Sequence, residues 1–262
     1  MQDLSITLIQ SNLYWENPVA NLAMFEEKIW KIGKTDVVIL PEMFSTGFSM
    51  NASTLGEMIN QNTFKWMKQM AKQTNCLIIG SFIAKEQGGY FNRLIWMEPG
   101  GEYKAYDKRH LFRMGEENAV YSAGTTRLIA SYKGWNICPM VCYDLRFPVW
   151  SRNRWDMATN RMEYDVLIYV ANWPEARVFA WDTLLKARAI ENLSYVVGVN
   201  RTGKDGKEIP YSGHSAAIGP KGEILCESGG SECIQTITLS WQGLLDYRSK
   251  FPAYLDADHF SL

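Results

Sequence analysis

The residues best placed to do chemistry stand where predicted strands end, and the first of them is a cysteine. Cys142 follows the apolar segment Trp135–Val141, and Pro148 suits the first turn of a helix. Cys142 is therefore expected at a strand-to-helix junction, where unpaired backbone N–H groups favour an anion and a thiol ionises more easily than in mid-strand. This makes Cys142 a candidate nucleophile, against the alternative of one more buried cysteine. The other cysteines lack such a context: Cys76, Cys138, Cys226 and Cys233.

A glutamate and a lysine follow two other predicted strands. Glu42 closely follows the apolar run Asp36–Leu40, where partial desolvation raises the pKa of a carboxyl and suits it to exchange protons near neutral pH. Lys108 comes just after the predicted strand Tyr103–Tyr106, among aromatic residues. The structural alternatives are a helix-capping or ion-paired Glu42 and a solvated Lys108.

Other catalytic designs find no support in the sequence. The three histidines, His110, His214 and His259, are far apart, and there is no HExxH motif or Cys/His cluster. No phosphate-binding glycine motif and no GxSxG motif is present. A cysteine protease would need a histidine beside Cys142, and nothing in the sequence places one there. We therefore predict no bound metal and no cofactor.

Charge and composition limit the class of partner. The 262 residues include 27 Lys and Arg against 28 Asp and Glu, which predicts no basic surface for nucleic acid or anionic lipid. Five scattered cysteines indicate reduced thiols. No apolar run approaches the roughly 20 residues of a membrane span, and the start lacks the features of a signal peptide. These features predict a cytoplasmic protein whose partner is a small molecule.

Strand and helix patterns alternate along the chain, which predicts one mixed α/β domain over residues 1–262. The C-terminal tail, residues 249–262, carries Phe251, Tyr254 and Phe260 and is expected to pack on the core or on a partner subunit. Helices are predicted from Pro18 to about Lys31, from Phe64 to Thr74, from Val149 onward, and from Val178 to about Asn192. The predicted strands are Leu4–Ile9, Asp36–Leu40, Cys76–Ala84, Phe91–Glu98, Tyr103–Tyr106, Trp135–Val141, Asp165–Ala171, Tyr195–Val199, Ser215–Ile218, Glu223–Cys226 and Cys233–Leu239.

The segments around the three candidate residues resemble the Glu, Lys and Cys motifs of the nitrilase (carbon–nitrogen hydrolase) superfamily, in that family's order. They are Pro41-Glu42-Met43, Tyr106-Asp107-Lys108-Arg109-His110-Leu111 and Cys142-Tyr143-Asp144-Leu145-Arg146-Phe147-Pro148. Supporting matches are Tyr169–Pro174, Ala187–Asn192 and Gly213-His214-Ser215, so the resemblance runs from about Ile6 to Phe251. The segments Met43–Phe48 and Cys142–Ser151 are most similar to the omega-amidase branch, whose members act on 2-oxoglutaramate.

The resemblance implies an αββα sandwich that forms a homodimer, and it implies roles for the catalytic residues. Glu42 would be the general base, Cys142 the nucleophile and Lys108 the oxyanion donor, assisted by a backbone N–H near Tyr143. Family members also carry a second glutamate about seven residues before a glycine; with Gly124 as that glycine, the match is Glu117. The alternative for Glu117 is a solvated loop carboxylate.

The same resemblance implies how a substrate is held. In the omega-amidase branch, an arginine at the position of Arg146 is thought to bind the substrate carboxylate; the alternative is an ion pair, for instance with Asp144. Asn172 and Trp173 would form the wall across from Cys142, although Trp173 could simply pack in the core.

These observations predict an amidohydrolase that cleaves the side amide of a small carboxylate monoamide, of the 2-oxoglutaramate or succinamate type, to acid plus ammonia through a cysteine thioester. An N-carbamoyl amino acid amidohydrolase or a nitrilase of the same superfamily is the alternative among enzymes. An inert scaffold on the same fold is the alternative outside enzymes.

Overall fold

A computed structural model describes residues 1–258, so the predictions made for His259 and Phe260 lie outside the described residues. The strands are β1 Leu4–Gln10, β2 Val37–Ile39, β3 Leu77–Glu86, β4 Gly89–Met97, β5 Tyr103–Asp107, β6 Ala130–Tyr132, β7 Trp135–Val141, β8 Trp155–Asp156, β9 Arg161–Met162, β10 Val166–Val170, β11 Tyr195–Val199, β12 Thr202–Lys204, β13 Pro210–Ser212, β14 Ala216–Ile218, β15 Ile224–Glu227 and β16 Cys233–Leu239. The α-helices are α1 Pro18–Trp30, α2 Ala52–Leu55, α3 Asn62–Thr74, α4 Glu117–Val120, α5 Pro148–Ser151, α6 Val178–Asn192 and α7 Trp241–Lys250. Single 3-10 turns occupy Arg113–Gly115, Cys142–Arg146, Glu175–Arg177 and Ala253–Asp256.

Two six-stranded sheets have the same plan. Sheet I has the strand order β16-β1-β2-β3-β4-β5, and sheet II has the order β15-β14-β11-β10-β7-β6. The centre of each sheet is parallel: β1, β2 and β3 in sheet I, and β7, β10 and β11 in sheet II. The outer strands pair antiparallel with their neighbours. The carboxyl ends of the central strands of each sheet therefore lie along one edge, where loop residues can meet.

The packing forms four layers, because the central strands are buried on both faces. Alternate residues of β1 point to opposite sides: Leu8 joins the core between the two sheets, and Ile9 joins the core beneath α1 and α3. Sheet II is covered on its outer face by α6, whose Trp181 and Leu185 are buried. The αββα sandwich predicted from the family resemblance is confirmed. Among residues 1–258, no helix has both the length and the apolar character needed to cross a membrane.

The helix predicted from Val149 onward is wrong beyond its first turn. Only the four residues of α5 are helical, and the short hairpin β8–β9 follows. Helix α5 ends at Ser151, and Asn153 makes hydrogen bonds to residues distant in the chain. Its N–H donates to Asn192 Oδ1 at 2.8 Å, and its side-chain amide donates to the Tyr164 carbonyl at 2.8 Å. Tertiary hydrogen bonds thus replace the ones that a longer helix would have made.

The end of the chain contains a helix that the sequence analysis did not predict. Ser240 caps α7 by accepting a hydrogen bond from the Gly243 N–H at 3.1 Å, and Leu244 of α7 is buried. In the part of the tail that the structure describes, Tyr254 stacks on Trp155 with ring centroids 4.5 Å apart. At least this residue of the tail therefore packs against its own chain.

Candidate active site

The side chains that follow β2, β5 and β7 meet between the two sheets. Lys108 Nζ lies 2.8 Å from Glu42 Oε1, with both side chains fully buried. Asn172, which follows β10, links this pair to the cysteine: its N–H donates to Glu42 Oε2 at 2.8 Å, and its carbonyl lies 3.9 Å from Cys142 Sγ. The structure thus brings together the three residues that the sequence places at separate strand ends.

Glu117 belongs to the same group. It opens α4, and its Oε2 lies 2.9 Å from Lys108 Nζ. The Phe112 N–H donates to the same carboxylate oxygen at 2.6 Å. Because its side chain is fully buried, Glu117 is not the solvated loop carboxylate that stood as its alternative.

Asn92 completes this group, although the sequence analysis missed it. Its side-chain amide donates to Glu42 Oε1 at 2.7 Å and to Glu117 Oε1 at 3.1 Å, so one amide group holds both carboxylates. Asn92 lies within β4 among apolar residues, and no local motif marks it. We call Glu42, Asn92, Lys108 and Glu117 the inner cluster.

Electrostatics keep the lysine of the inner cluster charged. Burial lowers the pKa of Lys108, but the negative charges of Glu117 and Glu42 outweigh burial, and that pKa lies well above its usual value. Burial raises the pKa of Glu117, as does the charge of Glu42, against the opposing effect of Lys108. One ammonium group therefore neutralises part of the charge of two carboxylates in a space without water contact.

The cysteine sits at the predicted junction, but its thiol is harder to ionise than we expected. Cys142 begins a 3-10 turn directly after β7, and its φ of 46° is in the left-handed region. Burial raises the pKa of the thiol well above its usual value, and the negative charge of Glu42 adds to that effect, while Lys108 opposes it. The pKa shift is therefore opposite in direction to the one expected for a strand-to-helix junction, because burial and the Glu42 carboxylate outweigh Lys108.

The alternative interpretation of Arg146, an ion pair with Asp144, is wrong. Asp144 accepts hydrogen bonds from Tyr106 Oη at 2.7 Å, from the His110 N–H at 3.0 Å and from the Val141 N–H at 3.0 Å. His110 Nδ1 also lies 2.8 Å from Asp144. Asp144 therefore braces the turn that carries Cys142 and leaves Arg146 free for another role.

Arg146 instead lies over an aromatic ring beside a cavity. Its guanidinium carbon is 5.0 Å from the centre of the Trp173 ring. The cavity has a volume of about 300 Å³ and contains every predicted substrate-binding residue. It is lined by Phe48, Met50, Lys108, Phe112, Met114, Gly115, Cys142, Tyr143, Arg146, Asn172, Trp173, Pro174, Arg177, Asp205, Lys207, Ile209 and Tyr211.

Several of these lining residues were missed, because they come from segments distant in the chain. The β12–β13 hairpin supplies Asp205, Lys207 and Ile209 through its tip, and the turn before α6 supplies Arg177. Trp173 serves as both wall and packing residue: it is 3% exposed, and its indole N–H donates to the Arg177 carbonyl at 2.8 Å.

One cluster of possible metal ligands lies elsewhere in the described residues. Candidate ligand atoms of Asp182, His214 and Glu227 fall within 4.8 Å of one another, and none of the three residues lines the cavity. His214 Nδ1 and Asp182 Oδ2 are 3.1 Å apart, a contact that a hydrogen bond alone explains. This cluster is therefore separate from the cavity that Cys142 lines.

Comparison with known proteins agrees with this geometry. The family model for carbon–nitrogen hydrolase matches residues 5–244. The chain is 46% identical to the omega-amidase YafV of Escherichia coli K12, with both chains fully covered, and 31% identical to the 2-oxoglutaramate amidase of Bacillus subtilis, covering 96% of each.

Solved structures show the same relationship. A carbon–nitrogen hydrolase superfamily protein from Xanthomonas campestris, with an arsenic adduct in its active site, superposes with a TM-score of 0.98 at 44% identity, covering 100% of each chain. Nit3 of Saccharomyces cerevisiae shares the fold, with a TM-score of 0.84 at 22% identity over 96% of this chain and 95% of that one. The predicted relationship is confirmed, and the chain belongs to the carbon–nitrogen hydrolase family.

Proposed function

We propose that this protein is an omega-amidase, which hydrolyses the side amide of a small carboxylate monoamide, such as 2-oxoglutaramate or succinamate, to the acid and ammonia. The observation that carries the proposal is the position of Lys108 Nζ, 2.8 Å from Glu42 and 2.9 Å from Glu117, with Cys142 on the same cavity of about 300 Å³. The similarity to an omega-amidase and to a 2-oxoglutaramate amidase supports the substrate class.

The first step is attack by sulfur on the amide carbon. Because the pKa of the Cys142 thiol is raised, the thiol holds its proton at neutral pH and needs a base in the site. Glu42 takes this proton as the carbon–sulfur bond forms. The negative charge that develops on the amide oxygen is stabilised by Lys108, together with the backbone N–H of Tyr143 in the turn after Cys142.

The second step releases ammonia and restores the thiol. Glu42 passes its proton to the amide nitrogen as the carbon–nitrogen bond breaks, which leaves a thioester on Cys142. Water then attacks the thioester with Glu42 as base, and the proton returns to sulfur as the carbon–sulfur bond breaks. Glu117 and Asn92 position Lys108 and Glu42 throughout, because their hydrogen bonds hold both groups.

The outer part of the cavity selects the substrate in this proposal. Arg146 binds the free carboxylate through its planar fork of donors. Asn172 and Trp173 form the wall across from Cys142, and the aromatic ring of Tyr143 packs against Phe112 with centroids 5.1 Å apart. A cavity of about 300 Å³ suits a short substrate.

Substitution of Cys142 by alanine tests the proposal. Ammonia release from succinamate and 2-oxoglutaramate should fall to background in this variant, because no thioester can form, while the circular dichroism spectrum is retained. Cys226→Ala is the matched control, since Cys226 is a free cysteine that does not line the cavity, and it should keep wild-type activity. Turnover that persists in Cys142→Ala would contradict the assignment.

The same assays separate the alternatives. An N-carbamoyl amino acid amidohydrolase would release carbon dioxide with ammonia, and a nitrilase would hydrolyse a nitrile of matching chain length faster than the amide. A wild-type protein that turns over none of these compounds would support an inert scaffold.

We also propose that the protein is a cytoplasmic homodimer. The family resemblance supports the dimer, as do two large exposed apolar side chains: Phe179 of α6 is 81% exposed and Val149 of α5 is 55% exposed. The five free cysteines fit a reducing compartment. Light scattering in solution measures the oligomeric state directly.

A further inference from the structure

Three cations line the outer part of the cavity, and none of them has a carboxylate partner in the part of the chain that the structure describes. We call Arg146, Arg177 and Lys207 the rim. Within residues 1–258, no carboxylate lies within 4.0 Å of any of these three charged groups. Asp205 also lines the outer part of the cavity, but its carboxylate binds other groups. It accepts hydrogen bonds from the Lys207 N–H at 2.8 Å, the Ile209 N–H at 3.0 Å and Tyr211 Oη at 3.0 Å.

Arg177 is held in place without a carboxylate partner among the described residues. Its carbonyl accepts the hydrogen bond from the Trp173 indole N–H at 2.8 Å, and its guanidinium carbon lies 5.4 Å from the centre of the Phe112 ring. Its Nη2 lies 2.8 Å from the sulfur of Met114, and a thioether is a weak acceptor. The side chain therefore lies against Phe112 and Met114, while its strong donors lack an anionic acceptor within residues 1–258.

Trp173 connects the two arginines of the rim. Its ring lies beneath the Arg146 guanidinium, at 5.0 Å, and its N–H binds the backbone of Arg177. One 3%-exposed side chain thus contacts the guanidinium of Arg146 and the backbone of Arg177, and both arginines line the same cavity as Cys142. Two such groups supply more charge-assisted donors than either could alone, and their fork geometry matches a carboxylate.

We propose that Arg177 is a specificity-determining residue that binds the free carboxylate of the substrate together with Arg146. The proposal rests on the proposed function and sharpens it. The ligand is a short, open-chain monoamide with an anionic group at the end remote from the scissile amide. Neutral amides of the same length lack the group that the two arginines bind, so they are poor substrates. Lys207 lies at the exposed tip of the hairpin, where its positive charge attracts the anionic substrate without holding it in a fixed geometry.

The test compares two substrates that differ only in charge: succinamate, and succinamide, in which a neutral amide replaces the carboxylate. In Arg177→Gln, kcat/KM for succinamate should fall about 10- to 100-fold, the effect of losing charge-assisted hydrogen bonds. The fall should appear mainly in KM. For succinamide, kcat/KM should stay within about threefold of wild type, because that substrate offers Arg177 no charge.

Two further variants separate charge from packing. Arg177→Lys keeps the charge but loses the fork, so it should lie between wild type and Arg177→Gln for succinamate. Lys221→Gln is the control: its ammonium also lies over an aromatic ring, 5.4 Å from the centre of the Tyr247 ring, but outside the cavity, and both substrates should be unaffected. Equal losses with succinamate and succinamide in Arg177→Gln would overturn the proposal, because they would mark a purely structural role.

A binding measurement keeps this test independent of turnover. Succinate, the acid product, should bind Cys142→Ala at least tenfold more tightly than it binds Cys142→Ala/Arg177→Gln, as measured by calorimetry. If wild type hydrolyses no amide while succinate binding still depends on Arg177, the proposed function fails and the carboxylate site stands. If amides are hydrolysed but succinate binds both proteins equally, the inference about Arg177 fails and the proposed function stands.

Discussion

The charged groups of the inner cluster are paired with each other, whereas those of the rim have no carboxylate partner in the described chain. In the inner cluster, Lys108 and both carboxylates are fully buried and contact each other at 2.8–3.1 Å. In the rim, Arg146 and Arg177 are partly exposed and lie over aromatic rings, without a carboxylate partner in the described chain. A buried charge must be paired within the protein, or folding becomes too costly. A cation that is positioned yet left unpaired is available for a ligand. Under the proposed function, the inner cluster acts on the reacting bond and the rim selects the substrate.

The strongest test of this contrast removes the buried cation. Lys108→Met should lower the free energy of unfolding by about 3–5 kcal/mol at neutral pH, because it leaves two buried carboxylates without a cation. It should also reduce kcat by at least about 10²-fold through loss of oxyanion stabilisation. Urea denaturation and ammonia release measure the two effects.

The pH dependence of that variant provides a control. Without Lys108, burial and the neighbouring Glu42 carboxylate raise the pKa of Glu117 further above its unfolded value, so the folded state favours the protonated form of Glu117. The contribution of this group to stability is then retained at low pH and lost as pH rises through its raised folded-state pKa. A variant that is as stable as wild type at pH 8 would show that the inner cluster is not a paired, water-excluded group.

An intermediate effect is expected at the neutral member of the inner cluster. Asn92→Leu removes the amide that donates to Glu42 at 2.7 Å and to Glu117 at 3.1 Å. The expected loss of stability is about 1–3 kcal/mol, since two buried acceptors lose a donor. Because Asn92 positions Glu42 and Lys108, kcat should fall while KM for succinamate changes little. A rise in KM with unchanged kcat would place Asn92 with the substrate-binding residues instead.

The smallest effect on folding is expected at the rim. Arg146→Lys keeps the charge but loses the planar fork, so KM for succinamate should rise about tenfold, while the change with a neutral short amide is far smaller. The free energy of unfolding should change by less than about 0.5 kcal/mol, because no carboxylate among residues 1–258 loses a partner. Equal changes in KM for both substrates would leave Arg146 without a role in recognition.

The sequence predicts the proposed catalytic residues better than it predicts their surroundings. Glu42, Lys108 and Cys142 follow apolar strands within recognisable motifs, and parallel strands bring such ends together. Asn92 and Arg177 contact residues from distant segments, and neither has a local pattern in the sequence. The ionisation of Cys142 was misjudged for the same reason, since burial beside Glu42 is a property of the assembled fold. Local patterns therefore reveal the reactive groups, whereas their solvation and partners depend on packing.

The left-handed backbone at Cys142 has a consequence for engineering. With φ at 46°, the residue adopts a conformation that glycine tolerates and other residues occupy at a cost of about 1–2 kcal/mol. Cys142 is thus held in a backbone conformation that lowers the free energy of unfolding. At this residue, the position that supplies the thiol is also one that reduces thermal stability. If variants are selected for folding alone, without a requirement for turnover, we expect Cys142 to be replaced by glycine before residues of the surrounding core change.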